Sequence, residues 1–390
     1  MKKYIQSALT FSFLLLCFSC THEKSIAQDD DNPGSDAGDT DIPGTDAGSE
    51  NLQARQYTKV DILLVVDNSK SMEEEQQRLQ MSSSYMINLL MDPPVEWKEE
   101  EDEGGLKDIR VAVTTTDMGM EVEEDFQGCD SSLPGGNEGA FVSSQDCEDL
   151  DDGWVDITTG NLDDIACLTD VGTDGCGFEQ QLYAAVYSLQ REDHREFLRG
   201  DDSILVIIMV TDEEDCSAAH GSSFWDHEEM SPLNPAINAY CARHADEMMD
   251  IKTVAHDLKK RGNPVGDIVE GSVIFVGFVG VPWVDDCRGR GDQLDDCLDR
   301  IEMQYVEEDD AQGRTYLANA CVSEEIDNDT KQPTTAAVPG RRFVELAQEF
   351  GEYGYIYSIC EISWDPPLED VAQNIYFHIN RTNKARSPSR

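Results

Sequence analysis

Residues 60–71 read Val60-Asp61-Ile62-Leu63-Leu64-Val65-Val66-Asp67-Asn68-Ser69-Lys70-Ser71. The apolar part of this segment has the length of a β-strand and is rich in β-branched residues. Such a run is typical of a strand that is buried on both faces of a parallel sheet. The polar part follows directly, so its side chains are expected just beyond the carboxyl end of that strand.

Two further apolar runs of the same kind follow, at residues 204–210 and 273–279, and the first of them ends in Thr211-Asp212. In residues 109–113, β-branched residues alternate with Arg110 and Ala112, which favours a strand nearer the edge of the sheet. Residues 355–359 are predicted to form the last strand.

Helical patterns lie between these runs, at residues 72–90, 182–189, 251–258 and 343–350. Their apolar residues recur at the spacing of an α-helix. Strands that alternate with helices predict an α/β fold with a doubly wound, mostly parallel sheet and helices on both faces, as in Rossmann-like folds. A closing helix is expected at residues 368–379.

Two of the predicted strands end in a carboxylate, at Asp67 and Asp212, and Ser69 and Ser71 add two hydroxyls on the first turn. Ligands of open parallel sheets bind beyond the carboxyl ends of the strands. An all-oxygen set at this place suits a divalent cation, Mg²⁺ first and Mn²⁺ or Ca²⁺ as alternatives. A simple capping turn at a helix start is the competing interpretation.

The segment Val65-Val66-Asp67-Asn68-Ser69-Lys70-Ser71-Met72, taken with Met209-Val210-Thr211-Asp212, resembles the von Willebrand factor type A (VWA) family. The resemblance covers roughly residues 58 to 380. It implies a VWA-like domain, at residues 56–380, that carries a metal-ion-dependent adhesion site (MIDAS). In that site Ser69 and Ser71 would ligate the metal directly, and Asp67 and Asp212 directly or through water.

The family also supplies a threonine from a third loop, and the sequence departs from the family there. The loop before the second helix reads Gly172-Thr173-Asp174-Gly175-Cys176-Gly177-Phe178-Glu179, with Cys176 near the expected threonine position. Thr173 is the nearest hydroxyl and is taken as the candidate ligand. Thr114 to Thr116, at the end of the alternating strand, are the alternative.

Residues 1–20 have the pattern of an export signal, with Lys2 and Lys3 before a short apolar run. This run ends at Leu16-Cys17-Phe18-Ser19-Cys20, which resembles the lipobox of bacterial lipoproteins and implies lipid attachment at Cys20 and membrane anchoring. By analogy with the sorting of enterobacterial lipoproteins, the resemblance implies the outer membrane or cell surface over the inner membrane, because Thr21 and not Asp follows Cys20. An ordinary cleaved signal is the alternative. Residues 21–55 predict a disordered Asp/Gly/Pro linker, and residues 381–390 a basic disordered tail.

The remaining ten cysteines predict disulfides in an oxidising compartment. Most of them lie in or beside three long stretches that follow strands, at about 117–172, 213–235 and 281–337. These insertions are expected at the carboxyl-terminal face of the sheet, as a cap near the metal. Cys287–Cys297 and Cys167–Cys176 are possible short-range pairs.

The formal net charge of −51 argues against nucleic acid as a partner, because phosphate binding requires clustered cations. The resemblance implies adhesion, in which a carboxylate of a protein ligand completes the coordination of the metal. We therefore expect a cell-envelope binding protein and no enzyme. A structural envelope protein with a degenerate, metal-free site is the alternative. A hydrolase that uses the acidic face is a weaker one, because His227-Glu228-Glu229-Met230 lacks the second histidine of a zinc-protease helix.

Overall fold

The structure is a computed structural model that describes residues 57–98, 104–120, 129, 137–142, 153–158, 161–262, 266–327, 331 and 333–386. The predicted export signal, Cys20 and the linker lie outside the described residues.

The strands are β1 (Lys59–Val66), β2 (Ile109–Thr115), β3 (Trp154–Asp156), β4 (Ser203–Val210), β5 (Val273–Val279), β6 (Gly289–Arg290), β7 (Glu307–Asp309), β8 (Thr315–Leu317), β9 (Cys321–Val322), β10 (Ala336–Ala337) and β11 (Gly354–Ser358). The helices are α1 (Glu73–Met91), α2 (Leu162–Leu168), α3 (Gln181–Gln190), α4 (Tyr240–Arg243), α5 (Ile251–Lys259), α6 (Arg341–Phe350) and α7 (Asp365–Arg386).

The main sheet has seven strands in the order β3-β2-β1-β4-β5-β11-β6. The five inner strands are parallel, and the two short edge strands β3 and β6 are antiparallel to their neighbours. The α/β class is therefore confirmed, as a mixed sheet with helices. The finer assignment, a doubly wound sheet of the VWA family, stays a prediction.

Alternate residues of β1 enter two different hydrophobic cores. Ile62 and Leu64 pack with residues of α1, α2 and α7, whereas Leu63 and Val65 pack with residues of α3, α5 and α6. All four side chains are almost completely buried, and each contributes about 2 kcal/mol by leaving water. Burial on both sides explains why the sequence of this strand is apolar almost without interruption.

The interruption itself is Asp61, which is fully buried near the amino end of β1. Its carboxylate accepts a hydrogen bond from Arg199 Nε at 2.7 Å and lies 3.4 Å from Arg261 Nη2. Two guanidinium groups compensate the buried charge, so Asp61 is a structural ion pair at the end of the sheet opposite to Asp67.

The last helix is longer than the sequence predicts. The sequence predicts a helix at residues 368–379 and a disordered tail from residue 381, whereas α7 begins at Asp365 and continues to Arg386. The side chain of Asn383 bonds to the backbone of Tyr57, accepting from its N–H at 2.7 Å and donating to its C=O at 2.9 Å. This tertiary contact stabilises the last helical turns, which local sequence alone does not do.

None of the described helices combines the length and apolar content that crossing a bilayer requires.

Disulfides join Cys129 to Cys176, Cys216 to Cys241, Cys287 to Cys297 and Cys321 to Cys360. The prediction of disulfides is confirmed, and so is the pair Cys287–Cys297. The predicted pair Cys167–Cys176 is wrong. Cys176 packs with Cys129 and Phe178 in a small third core, whereas Cys167 belongs to α2 and takes part in a disulfide of its own.

Candidate functional site

The carboxyl ends of three neighbouring strands bring the predicted site together. Val66 of β1 is paired with Val210 of β4 on one side and with Thr115 of β2 on the other. The N–H of Asp67 then donates to the C=O of Val210 at 3.0 Å. The residues that follow the three strands therefore share one edge of the sheet, where open α/β sheets bind their ligands.

A connected series of hydrogen bonds links four of the sequence-predicted ligands. Asp67 Oδ1 accepts from the N–H of Ser69 at 2.7 Å, and the hydroxyls of Ser69 and Ser71 are 3.1 Å apart. Ser71 Oγ donates to Asp212 Oδ1 at 3.2 Å. The second oxygen of Asp67 accepts from the hydroxyl of Thr211 at 2.6 Å. Two carboxylates and two hydroxyls thus converge as the sequence predicts.

The turn that carries the serines is docked to the loop before α3. Gln76 Nε2 donates to the C=O of Asp67 at 2.9 Å and to that of Gly172 at 2.8 Å. The N–H of Gly175 donates to the C=O of Asn68 at 2.8 Å. A Cβ atom at Gly175 would lie 2.3 Å from Asn68 Oδ1, so any larger residue here would displace the side chain of Asn68.

Thr173, the candidate from this loop, is not hydrogen-bonded to the other four ligands among the described residues. Contacts of the loop with the turn use the backbone of Gly172 and Gly175 instead. Thr116 differs, because its hydroxyl is buried beyond the end of β2 and has no hydrogen-bond partner in the described part of the chain. The hydroxyls of Thr114 and Thr115 are bonded to Ala140 and Asn137. The sequence leaves the threonine ligand open between Thr173 and residues 114–116. Among these, Thr116 offers a buried hydroxyl oxygen that no hydrogen bond in the described part of the chain occupies.

Four carboxyl groups crowd the site, and their pKa values are raised. Burial raises the pKa of Asp67, against the hydrogen bond from Thr211. Burial, followed by the charges of Glu213 and Asp67, holds the pKa of Asp212 well above its usual range. Burial and the charge of Asp67 raise the pKa of Glu213 to about 7. Glu179 has its pKa raised well above the usual range, by burial and then by Asp67 and Glu213.

Within the described ranges, no Lys or Arg forms an ion pair with any of these four acids. Buried like charges without a counter-ion are costly, and a bound cation removes that cost. Two buried oxygens at the site, Thr116 Oγ1 and Asn68 Oδ1, also have no hydrogen-bond partner there. The donor set and the charge both fit a hard divalent cation.

Glu179 and Glu213 were not assigned to the site from the sequence. The position of Glu213 in the sequence indicates its place in the site, since it follows Asp212 directly. The sequence around Glu179 does not indicate a place in the site, because tertiary contacts bring this residue there. The next residue, Gln180, donates its N–H to the C=O of Thr116 at 3.0 Å, and Cys216 donates its N–H to the C=O of Glu179 at 2.8 Å.

The two acids that follow Glu213 anchor the loop after β4. Asp215 is fully buried, forms an ion pair with Arg342 at 2.9 Å and accepts the N–H of Leu182 at 3.1 Å. Glu214 accepts a hydrogen bond from the hydroxyl of Tyr305, and burial raises its pKa to about 8. These contacts fix the backbone that carries Asp212.

Comparison with known proteins adds little to this geometry. No family model matches the chain, and no curated protein matches it. Among solved structures it is similar to proximal thread matrix protein 1 from the mussel byssus, with 13% sequence identity and a TM-score of 0.27. The match covers 57% of this chain and 38% of that one. A likeness of this size assigns neither a family nor a function.

Proposed function

We propose that this chain is an exported, lipid-anchored envelope protein whose VWA-like, doubly wound domain binds a protein ligand through a divalent cation. The observation that carries the proposal is the hydrogen-bonded series Asp67–Ser69–Ser71–Asp212 at the ends of β1 and β4. Within the described part of the chain, the acids around it have no cationic side chain as an ion-pair partner.

In this proposal Ser69, Ser71, Asp67 and Asp212 hold Mg²⁺, or Mn²⁺ or Ca²⁺, and Thr116 supplies a further oxygen. Once bound, the ion supplies an electrophilic centre that accepts one more anionic oxygen. The serine hydroxyls are neutral ligands and leave the charge of the ion largely unquenched. The hydrogen bond from Thr211 and the docking of Gln76 hold Asp67 in place without using its Oδ1.

The partner that suits such a site is a protein that offers a carboxylate. The carboxyl groups of Glu179 and Glu213 lie beside the position, and the whole chain carries a formal net charge of −51, which repels an anionic group. A carboxylate therefore approaches only when the cation is present, so binding of the partner depends on the metal. Anchoring through Cys20 and the linker of residues 21–55 would hold this site at a distance from the membrane.

The proposal is a binding function and not catalysis. The hydroxyls of Ser69 and Ser71 are bonded to each other and to Asp212, an arrangement that positions ligands. A serine nucleophile would instead be bonded to a histidine base.

The test is thermal unfolding of the purified full chain during titration with Mg²⁺, Mn²⁺ and Ca²⁺. An ion at one hundred times its Kd stabilises the folded state by about 3 kcal/mol. We expect this gain for the parent chain, its loss in Asp67→Ala, and its retention in Asp299→Ala, which removes an exposed acid of the third insertion. A parent chain whose unfolding does not respond to any of the three ions contradicts the proposal and favours the metal-free structural protein.

A further inference from the structure

We propose that His227, His244 and Glu247 form a second metal site, for Zn²⁺ or a similar transition metal ion. They belong to the insertion between β4 and α5, outside the all-oxygen site. One possible ligand atom from each of the three side chains lies within 4.8 Å of the other two.

The three side chains already meet at one atom, Glu247 Oε1. His227 Nε2 lies 2.5 Å from this oxygen, and His244 Nδ1 lies 3.2 Å from it. The two imidazole rings are tilted by 37° with their centroids 4.4 Å apart. Small side-chain movements suffice for two ring nitrogens and a carboxylate oxygen to bind one ion at the usual distance of about 2 Å.

The rings are held by a rigid local structure. His244 stacks on Tyr240 with the centroids 4.2 Å apart, and the hydroxyl of Tyr240 donates to the C=O of Phe224 at 2.6 Å. The disulfide Cys216–Cys241 joins this helical turn to the start of the insertion. Preorganised ligands lose little conformational entropy when they bind an ion.

The carboxylate is also oriented. The hydroxyl of Ser223 donates to Glu247 Oε2 at 2.6 Å, which leaves Oε1 directed at the two rings. The C=O of Glu247 accepts the N–H of Ala219 at 2.9 Å, so two parts of the insertion meet here. Contacts of this kind, behind the ligands, are typical of metal sites in proteins.

The ligand types select the ion. Two imidazoles and one carboxylate suit Zn²⁺ and other transition metals, whereas Mg²⁺ and Ca²⁺ prefer oxygen. The side chains of His227, His244 and Glu247 are 34%, 16% and 17% exposed, so ions reach them from solvent. Glu229 Oε2 lies 3.8 Å from His244 Nε2, the ring nitrogen that does not face Glu247, and is placed to orient this ring from behind.

The competing explanation is a cluster held by hydrogen bonds alone, since Glu247 Oε1 is able to accept a hydrogen bond from an N–H of each ring. The two explanations differ in one measurable property, which is affinity for a transition metal. Bound metal would tie His227 to the segment of His244 and Glu247, and so fix the insertion that begins directly after Asp212.

The test uses the full chain, freed of metal by a chelator and titrated with Zn²⁺ in a calorimeter. The variants are His227→Gln and His244→Gln, with His220→Gln as the matched control, because His220 is an exposed histidine of the same insertion. We expect one tightly bound equivalent in the parent and in the control. The affinity of each of the two variants should fall at least about tenfold, and that of Ser223→Ala should fall less.

Two results would overturn the proposal: a parent chain that binds Zn²⁺ no more tightly than His227→Gln, or an equal loss in His220→Gln, which would mean adventitious surface binding. A second measurement covers variants that fold poorly. Co²⁺ added to the parent should produce the visible absorption of a nitrogen- and oxygen-ligated ion, and a spectrum identical to that of aqueous Co²⁺ argues against the site. The variant Asp67→Asn should keep the Zn²⁺ affinity, because the two sites share no ligand.

Discussion

The all-oxygen cluster around Asp67 and the histidine cluster around Glu247 are built in different ways. The first stands on the ends of β1 and β4, whose register the parallel sheet fixes. The second stands on short helical turns of an insertion, held by the disulfide Cys216–Cys241 and by the ring of Tyr240. Secondary structure positions one set of ligands, and cross-links and aromatic packing position the other.

The two clusters can therefore be perturbed separately, because different contacts hold their ligands in place. Loss of a cross-link in the insertion should affect the histidine cluster and leave the strand ends in place. Loss of charge at the strand ends should do the reverse. Changes to a contact that serves neither cluster should alter stability alone.

The largest effect is expected from removal of the disulfide with Cys216→Ser and Cys241→Ser. Its sequence separation of 25 residues corresponds to about 3 kcal/mol of stability in the chain-entropy treatment. We also expect weaker Zn²⁺ binding, because His244 follows Cys241 by less than one helical turn, and unchanged Mg²⁺ binding. Denaturant unfolding and metal titration measure the three quantities.

The matched control removes Cys287–Cys297, which spans 10 residues in another insertion. Its loss should cost somewhat less stability and leave both metal affinities as they were. If Zn²⁺ affinity survives removal of Cys216–Cys241, the cross-link does not position the histidine cluster.

A smaller effect is expected from pH in the metal-free chain. Burial and the charge of Asp67 raise the pKa of Glu213 from 4.5 to about 7, so the folded state holds this proton more tightly than the unfolded state. The corresponding stability is fully present below about pH 4.5 and is lost as the pH rises through about 7. Because Glu213 is only partly buried, we expect a loss of about 1–3 kcal/mol.

Urea unfolding at several pH values in the presence of a chelator measures this loss, with Glu213→Gln as the comparison. The variant should show a shallower decline over the same range, and so should the parent chain with Mg²⁺. Stabilisation by Zn²⁺ should instead increase with pH, because histidine must lose its proton to bind a metal. Equal slopes in Glu213→Gln and the parent would mean that Glu213 is not the group that titrates.

The smallest effect is expected from Asn383→Ala, which removes two hydrogen bonds to the backbone of Tyr57. The loss should be about 1–2 kcal/mol, at ordinary values for such bonds. Both metal affinities should stay unchanged, since Asn383 belongs to the last turns of α7 and to neither cluster. A change in either affinity in calorimetry would show that the clusters are coupled through the whole domain.

The sequence predicts the parts of the molecule that local pattern determines. The runs at residues 60–66, 204–210 and 273–279 are almost wholly apolar because the strands that they form are buried on both faces. A run of this kind is recognised as a strand from the sequence alone. The edge strands β3 and β6 are too short for a periodic pattern, and their pairing with β2 and β11 determines them. Helix α2 carries a local start signal in the sequence, the capping box formed by Asn161 and Asp164.

The same distinction applies to the ligands. Asp67, Ser69, Ser71 and Asp212 lie next to recognisable strands, so strand register brings them together. Glu179 and the pair His227–His244 depend on contacts between loops, which no local pattern encodes. The segment His227-Glu228-Glu229-Met230 is incomplete as a metal motif because the second histidine, His244, lies beyond Cys241 of the disulfide Cys216–Cys241.

The position of β1 between two parallel neighbours has a consequence for mechanical load on the domain. A pull on the residues that precede Tyr57 enters through β1, which is hydrogen-bonded along its length to parallel neighbours on both sides. Force along this strand loads the bonds of both ladders in shear, so they must fail together and not one after another. Asp67 directly follows β1, so a strand that is hydrogen-bonded on both sides lies between the residues that would be pulled and the candidate ligand-binding edge.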